Sequence, residues 1–209
     1  ESITFPEGIT LQEMSDIIVS RNFENFDPGE FITLTQDKEG YLFPDTYQFL
    51  PDDTAKIFVN TLTKTFNKKT QDLQKTYTGQ RSWEDIITMA SIIEKEASNN
   101  FEEQQIVAGI LWKRIDQGML LQVDAPFVYA IGKGSTQLRT SDLRADGPYN
   151  TYTRKGLTPT PIGNPGLSAI EAAMNPVESL YFFYLHDMNG GIHYGVTHDD
   201  HVRNKRAYL

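Results

Sequence analysis

The chain contains no cysteine, which excludes thiolate nucleophiles, disulfide staples and Cys-based zinc sites. At 209 residues it is long enough to bury a sizeable core as one domain, or two lobes, without such cross-links. The missing thiols do not choose a compartment, because many exported bacterial proteins lack them too. Long apolar runs are also absent: nothing approaches the roughly 20 residues of a membrane span, and no signal-peptide pattern opens the chain. Basic residues are few, 19 Lys and Arg against 28 Asp and Glu, for a formal net charge of −9. That balance argues against a nucleic-acid partner, whose backbone affinity rests on neutralising phosphates. Repeats and low-complexity tracts are lacking as well. The first residue is Glu1, directly before a strand-like Ile3-Thr4-Phe5, so an excised portion whose anchor has been cut away is expected.

What is present is a helix with an unusual placement of acids, Met89-Ala90-Ser91-Ile92-Ile93-Glu94-Lys95-Glu96-Ala97. At about 100° per residue, Trp83, Ile86, Ile87, Ala90 and Ala97 form one stripe, while Met89, Ile92 and Ile93 carry apolar surface towards the back. A helix apolar all round belongs inside a protein. Glu94 falls within the main stripe and Glu96 beside Met89, so each must pair, change its protonation or line a cleft. Two positions on a helix separate side chains by about 200°. The two acids therefore cannot flank one glycosidic bond as a glycosidase dyad, whose carboxyls stand about 5–10 Å apart. If the helix does chemistry, one acid acts and the other supports. The alternative is that both pair with Lys or Arg from a neighbouring element.

Around this helix the spacing predicts an α+β fold: a helical core around a glutamate-bearing hairpin, a small antiparallel sheet, and a minor N-terminal strand–helix lobe over residues 1–36, with the main domain over 37–209. Thr10-Leu11-Gln12-Glu13 reads as a capping box, and Phe26-Asp27-Pro28-Gly29 as a turn. A long helix from Asp53 or Thr54 should reach the Tyr77-Thr78-Gly79 breaker. Ser82 with Asp85 caps the glutamate helix, and Asn100 with Glu103 caps the next, which Gly118 stops. From Leu120 to about Gly166 the chain reads as irregular and rich in aromatics, a binding surface rather than a disordered tract. A capped helix follows from Ser168, then strands at Tyr181–Leu185 and Ile192–Val196 joined through Asn189-Gly190-Gly191, then a helix from Asp199.

Metal and phosphate chemistry find little support. His186, His193, His198 and His201 lack HExxH or any regular ligand spacing, and Gly132-Lys133-Gly134-Ser135 lacks the spacing of a phosphate loop and reads as a turn. No metal and no cofactor are expected.

The glutamate string is part of a longer pattern. Glu39-Gly40-Tyr41-Leu42-Phe43-Pro44-Asp45-Thr46-Tyr47 precedes Ala90-Ser91-Ile92-Ile93-Glu94-Lys95-Glu96, and Leu121-Gln122-Val123-Asp124, Tyr149-Asn150-Thr151-Tyr152 and Pro161-Ile162-Gly163-Asn164-Pro165-Gly166 follow it. In that order, over nearly the whole chain, they resemble the YceG-like (MltG) endolytic murein transglycosylases. One departure stands out: Ala125 separates Asp124 from Pro126, where the pattern has proline directly after the aspartate.

The resemblance implies a lytic transglycosylase that cleaves the β-1,4 bond between MurNAc and GlcNAc within peptidoglycan strands, leaving 1,6-anhydroMurNAc ends. It makes Glu96 the catalytic acid and then base, with Glu94, Tyr152 and Asn150 supporting, and Gln122, Asp124, Tyr149, Thr151 and Asn164 binding substrate. It also implies peptidoglycan synthases as partners, a single-pass membrane anchor and a domain outside the cytoplasm. A lone acid in this role needs a pKa lifted towards operating pH, which Met89, Ile92 and Ile93 could supply. Asn and Tyr can hydrogen-bond N-acetyl and hydroxyl groups while aromatic faces cover a pyranose. Read from the residues alone, Tyr149–Tyr152 could equally be core aromatics with a turn, Gln122 and Asp124 could only shape a turn, and Asp45 suits a loop-fixing acceptor. Two other readings stand beside the lyase: a muramidase-type hydrolase with Asp124 or Asp146 as base, and a non-catalytic glycan-binding or scaffold module.

Overall fold

A computed structural model describes residues 1–132 and 145–209, so Lys133-Gly134-Ser135 of the expected turn lie outside the described residues. Among those described, eight helices and two separate two-stranded antiparallel sheets give an α+β fold. The chain divides into two compact units, Glu1–Lys95 with Thr160–Met174, and Glu96–Pro159 with Asn175–Leu209.

In the first unit β1 (Ser2–Thr4) pairs with β2 (Thr46–Gln48), Ile3 lying opposite Tyr47. Helix α1 (Leu11–Ser20) opens on the complete Thr10/Glu13 capping box, each side chain accepting from the other's backbone N–H. The expected turn at Phe26–Gly29 is instead the start of α2 (Pro28–Thr35). Asp27 accepts from the N–H groups of Gly29 and Glu30, and Pro28 occupies a first-turn position where a missing N–H costs nothing. Turn chemistry and helix-start chemistry use the same residues, and only the apolar Phe31 that follows, fully buried, decides between them. Helix α3 (Ala55–Thr76) buries Phe58, Leu62 and Phe66 at helical spacing. One apolar cluster joins Ile3, Phe5, Ile9, Met14, Ile18 and Phe31 to Leu42, Phe49, Phe58 and Leu62, with Phe49 and Phe58 rings 4.0 Å apart between centroids.

Helix α4 (Trp83–Glu96) starts where Ser82 and Asp85 bond each other's backbone N–H, at 3.0 and 3.4 Å. Its residues Ile86 to Ile93 are all buried, as an all-round apolar helix requires. Helix α7 (Leu167–Met174) returns to this unit. Its first free N–H, from Gly166, is satisfied not by Ser168 but by the Glu94 carboxylate at 2.9 Å, a capping acceptor from far away in sequence.

In the second unit Asn100 caps α5 (Phe101–Asp116). The strip Asn175–Ser179 lies along α5, bonded through Gln105 and Lys113. Gly109 permits this approach: a Cβ there would stand 2.0 Å from the Val177 carbonyl oxygen. The segment read as irregular contains a helix, α6 (Ala125–Ile131), with Pro126 in its first turn, Phe127 buried and Gly132 in the left-handed region at its end. Strands β3 (Phe183–His186) and β4 (Ile192–Gly195) form the expected hairpin, His186 opposite Ile192. Asp187 fixes its turn by accepting from the N–H groups of Asn189 and Gly191. Helix α8 (His198–Tyr208) follows, opened by a Thr197/Asp200 capping box.

Candidate active site

The boundary between the two units falls between Lys95 and Glu96, so the two glutamates of one helix end belong to different surroundings. All the partners that bond or charge Glu94 are in the first unit and all those of Glu96 in the second.

Glu96 is the last residue of α4, half-buried, with protein packed densely round its carboxyl. Two donors meet it. The Tyr184 hydroxyl donates to Oε2 at 3.1 Å and the Ala125 N–H to Oε1 at 3.4 Å. Burial pushes the carboxyl above the ordinary range, and the nearby Asp124 charge adds to the rise. The Tyr184 and Ala125 bonds and His186 pull the other way without cancelling it. Tyr184 is pushed well above a phenol's usual range by burial, then by Glu96, so it stays a donor.

Each donor has a local origin. Ala125 is the first residue of α6, where a helix leaves N–H groups without internal partners. Tyr184 lies on β3, and strand alternation sends Tyr184 and His186 to one face. His186 Nε2 sits 2.9 Å from Glu103 Oε1 on α5. Burial pushes the Glu103 carboxyl up, but the Ser98 N–H bond first, with His186 second, holds it below its ordinary range.

Asp124 stands before α6 but makes no side-chain cap to it. Its carboxylate accepts instead from the Tyr152 hydroxyl at 2.6 Å. Tyr152 is raised by burial first, then by its bond to Asp124 and by the charges of Asp124 and Glu96. The preceding segment is zipped to the Tyr-Asn-Thr-Tyr stretch. Gln122 N–H donates to the Thr151 carbonyl at 3.1 Å, and the Thr151 hydroxyl accepts from Val123 N–H at 3.0 Å and donates to Val123 C=O at 2.7 Å. Asn150 is buried and donates to Ala145 C=O at 2.7 Å while accepting from Tyr152 N–H at 2.9 Å. Gln122 takes φ of 54°, a left-handed conformation uncommon outside glycine, with its side chain exposed. Tyr149 packs on Tyr129 with ring centroids 5.6 Å apart.

Thus Glu96, Gln122, Asp124, Tyr149, Asn150, Thr151 and Tyr152 all belong to the second unit, and Glu94 and Asn164 to the first. Asn164 is fully buried. Its amide accepts from the N–H groups of Gly40 and Leu42 and donates to Ile9 C=O and to Glu39 Oε1, so its bonding capacity is used inside the protein. Asp45 accepts from its neighbour Thr46 N–H and pairs with Lys69 at 3.2 Å, the loop-fixing arrangement its motif suggested. Asp146 forms an exposed bidentate pair with Arg154, both bonds 2.8 Å. Among the described residues no group of His, Cys, Asp or Glu is arranged to hold a metal ion, and no helix is long and apolar enough to cross a membrane.

Sequence reasoning missed Tyr184, His186 and Arg114. Tyr184 is on the strand expected at Tyr181–Leu185, while His186 stands one residue past its expected end, so only the observed strand, Phe183–His186, pairs the two on one face. Arg114 extends the inward stripe of Val107 and Leu111 at helical intervals, and is itself buried.

The model of the YceG-like family matches residues 1–207. The chain belongs to the YceG-like family. Beyond the family pattern, this YceG-like chain is 37% identical over 176 residues to the endolytic murein transglycosylase of Bacillus subtilis, covering 82% of this chain and 48% of that protein. It is 26% identical to the endolytic murein transglycosylase of Streptococcus pneumoniae, covering 100% of this chain and 44% of that one. A YceG-like protein of Listeria monocytogenes has a crystal structure that superposes with a TM-score of 0.88 at 29% identity, covering 97% of this chain and 75% of that one. The YceG-like chain therefore spans about half the length of the curated relatives it matches.

Proposed function

We propose that this chain is the catalytic part of an endolytic lytic transglycosylase, cutting the MurNAc–GlcNAc bond within peptidoglycan strands, with Glu96 as general acid and then base. The observation that carries the reading is the Glu96 carboxyl: raised by burial, yet met by two donors suited to its ionised form. The relatives named as endolytic murein transglycosylases support the substrate class.

The raised pKa keeps Glu96 protonated further up the pH scale than an ordinary glutamate, so it can give its proton to the leaving glycosidic oxygen. The carboxylate so formed is stabilised by the Tyr184 hydroxyl and Ala125 N–H, which need no reorganisation. It then takes the proton of the muramyl C6 hydroxyl as that oxygen closes on C1. Glu96 is reprotonated and a 1,6-anhydro end results. Asp124, held by Tyr152, would serve as the carboxylate that balances positive character developing at the sugar, and Gln122 and Tyr149 would bind it. Asn150 and Thr151 act by holding Tyr152 and the 121–124 segment, and Glu94 by tying α4 to α7. The envelope location, the membrane anchor and peptidoglycan synthases as partners follow from the same family reading.

The second reading is hydrolysis. It is favoured by one observation, a second carboxylate, Asp124, close enough to Glu96 to raise its pKa. Mass spectrometry of digested strands tests both. Ends lacking one water relative to reducing MurNAc support the lyase, and ends containing it support the hydrolase. A Glu96→Gln variant that cuts as fast as the parent refutes both.

A further inference from the structure

Arg114 is a charged side chain of the second unit that the mechanism leaves unused. It is 6% exposed, and among the described residues it has no carboxylate within ion-pair distance. A buried cation without a counter-ion is costly unless its N–H groups are well bonded. Here they go to backbone carbonyls: Nε to Phe182 at 2.8 Å, Nη1 to Leu121 at 2.6 Å and to Leu120 at 3.3 Å, with the guanidinium 4.9 Å from the Phe183 ring centroid.

Those carbonyls lie at the roots of two arms. Leu120 and Leu121 lead in four residues to Ala125, whose N–H meets Glu96 Oε1, and Phe182 stands two before Tyr184, whose hydroxyl meets Oε2. Both donors to the one carboxyl are thus anchored by a single planar fork. We propose that Arg114 is a positioning residue that holds the Ala125 and Tyr184 donors on Glu96 by bonding the backbone of both segments. A lysine, a point charge with no planar fork, cannot hold both with the same geometry. The charged or titratable groups facing Glu96 are Tyr184 and His186 from β3, Asp124 before α6 and Tyr152.

The inference rests on the proposed role of Glu96, but its test has a readout that does not. Titration of the Glu96 side-chain carbon by NMR is followed in the parent, R114M, R114K, Y184F and R114M/Y184F. Losing donors to the ionised form raises the midpoint, so R114M and Y184F are both expected to shift upward, R114K by less, and R114M to add on top of Y184F only the smaller part due to Ala125. Turnover of murein strands should fall about tenfold or more in kcat for R114M with KM little changed. A midpoint that stays put or falls in R114M, or a full independent shift on top of Y184F, overturns the inference. Should R114M not fold, a parental midpoint in R114K overturns it. If no variant or parent cuts murein, the proposed function fails while the titration still judges Arg114.

Discussion

Glu94 and Glu96 are the same residue type two places apart on one helix, both raised above the ordinary carboxyl range chiefly by burial, yet their surroundings differ in kind. Glu94 accepts the Gly166 N–H at the start of α7, with the Glu7 charge nearby adding to its rise and Lys95 opposing it. Its bond completes a helix end. Glu96 accepts from a tyrosine hydroxyl on a strand and from the first N–H of a different helix, among phenols that themselves stay protonated. A raised pKa alone therefore does not single out the acid that does chemistry. What separates the pair is the origin of their partners: Glu94 holds two elements of one unit together, whereas Glu96 accepts from donors on two separate segments of the other unit.

The sharpest way to break this comparison is to remove each proton in turn. Glu96→Gln should lower murein cleavage by about a thousandfold, the usual scale of a general acid, with the fold kept by circular dichroism. If Glu94→Gln does the same, the roles have been misassigned. Asn164→Ala tests the claim that this side chain belongs to the architecture of the first unit. Two buried N–H groups, of Gly40 and Leu42, would lose their acceptor, costing about 3 kcal/mol in urea unfolding.

Tyr184→Phe should sharpen the contrast from the Glu96 side. Removing one donor raises the carboxyl midpoint, which moves the alkaline limb of kcat upward while kcat itself falls about tenfold. An unchanged alkaline limb would show that the hydroxyl does not act on Glu96. Glu94→Gln is the smallest effect: cleavage within about threefold of the parent and a stability change within about 1 kcal/mol, because the amide oxygen can still accept from Gly166.

The pH dependence of folding separates the acids from their neutral variants as well. Both carboxyls are raised in the folded state above the ordinary value of 4.5, so the unfolded chain releases these protons first as pH rises. Their contribution to stability is greatest at low pH and is lost as pH climbs through the raised folded values. Urea midpoints of Glu96→Gln minus those of the parent should therefore increase from about pH 4 to about pH 8. A difference that is flat or decreasing with pH would mean that Glu96 titrates normally when folded.

How far these features could be read from the sequence depends on whether their causes are local. Thr10 with Glu13, Ser82 with Asp85 and Asn100 with Glu103 form caps within one turn of chain, and all appear where their spacing puts them. The Asn189-Gly190-Gly191 hairpin and the all-round burial of Ile86 to Ile93 are equally short-range consequences. Asp27-Pro28 reads as a turn but starts α2, because turns and helix starts share residues, and α6 lies in a segment that reads as irregular, because seven residues are too few for a period to emerge. At the site, the motif order pointed to Glu96 by resemblance, but Tyr184 and Arg114 lie in separate segments that no local pattern ties to it.

By itself, the chain's order of residues determined which helices cap and stop, which helix must be buried, and that two carboxyls on that helix face opposite ways. Only the tertiary structure decided which partners each carboxyl meets. The reason is distance along the chain: Glu94 finds Gly166 and Glu96 finds Tyr184 across long stretches of sequence, and only packing brings such groups within reach of a hydrogen bond.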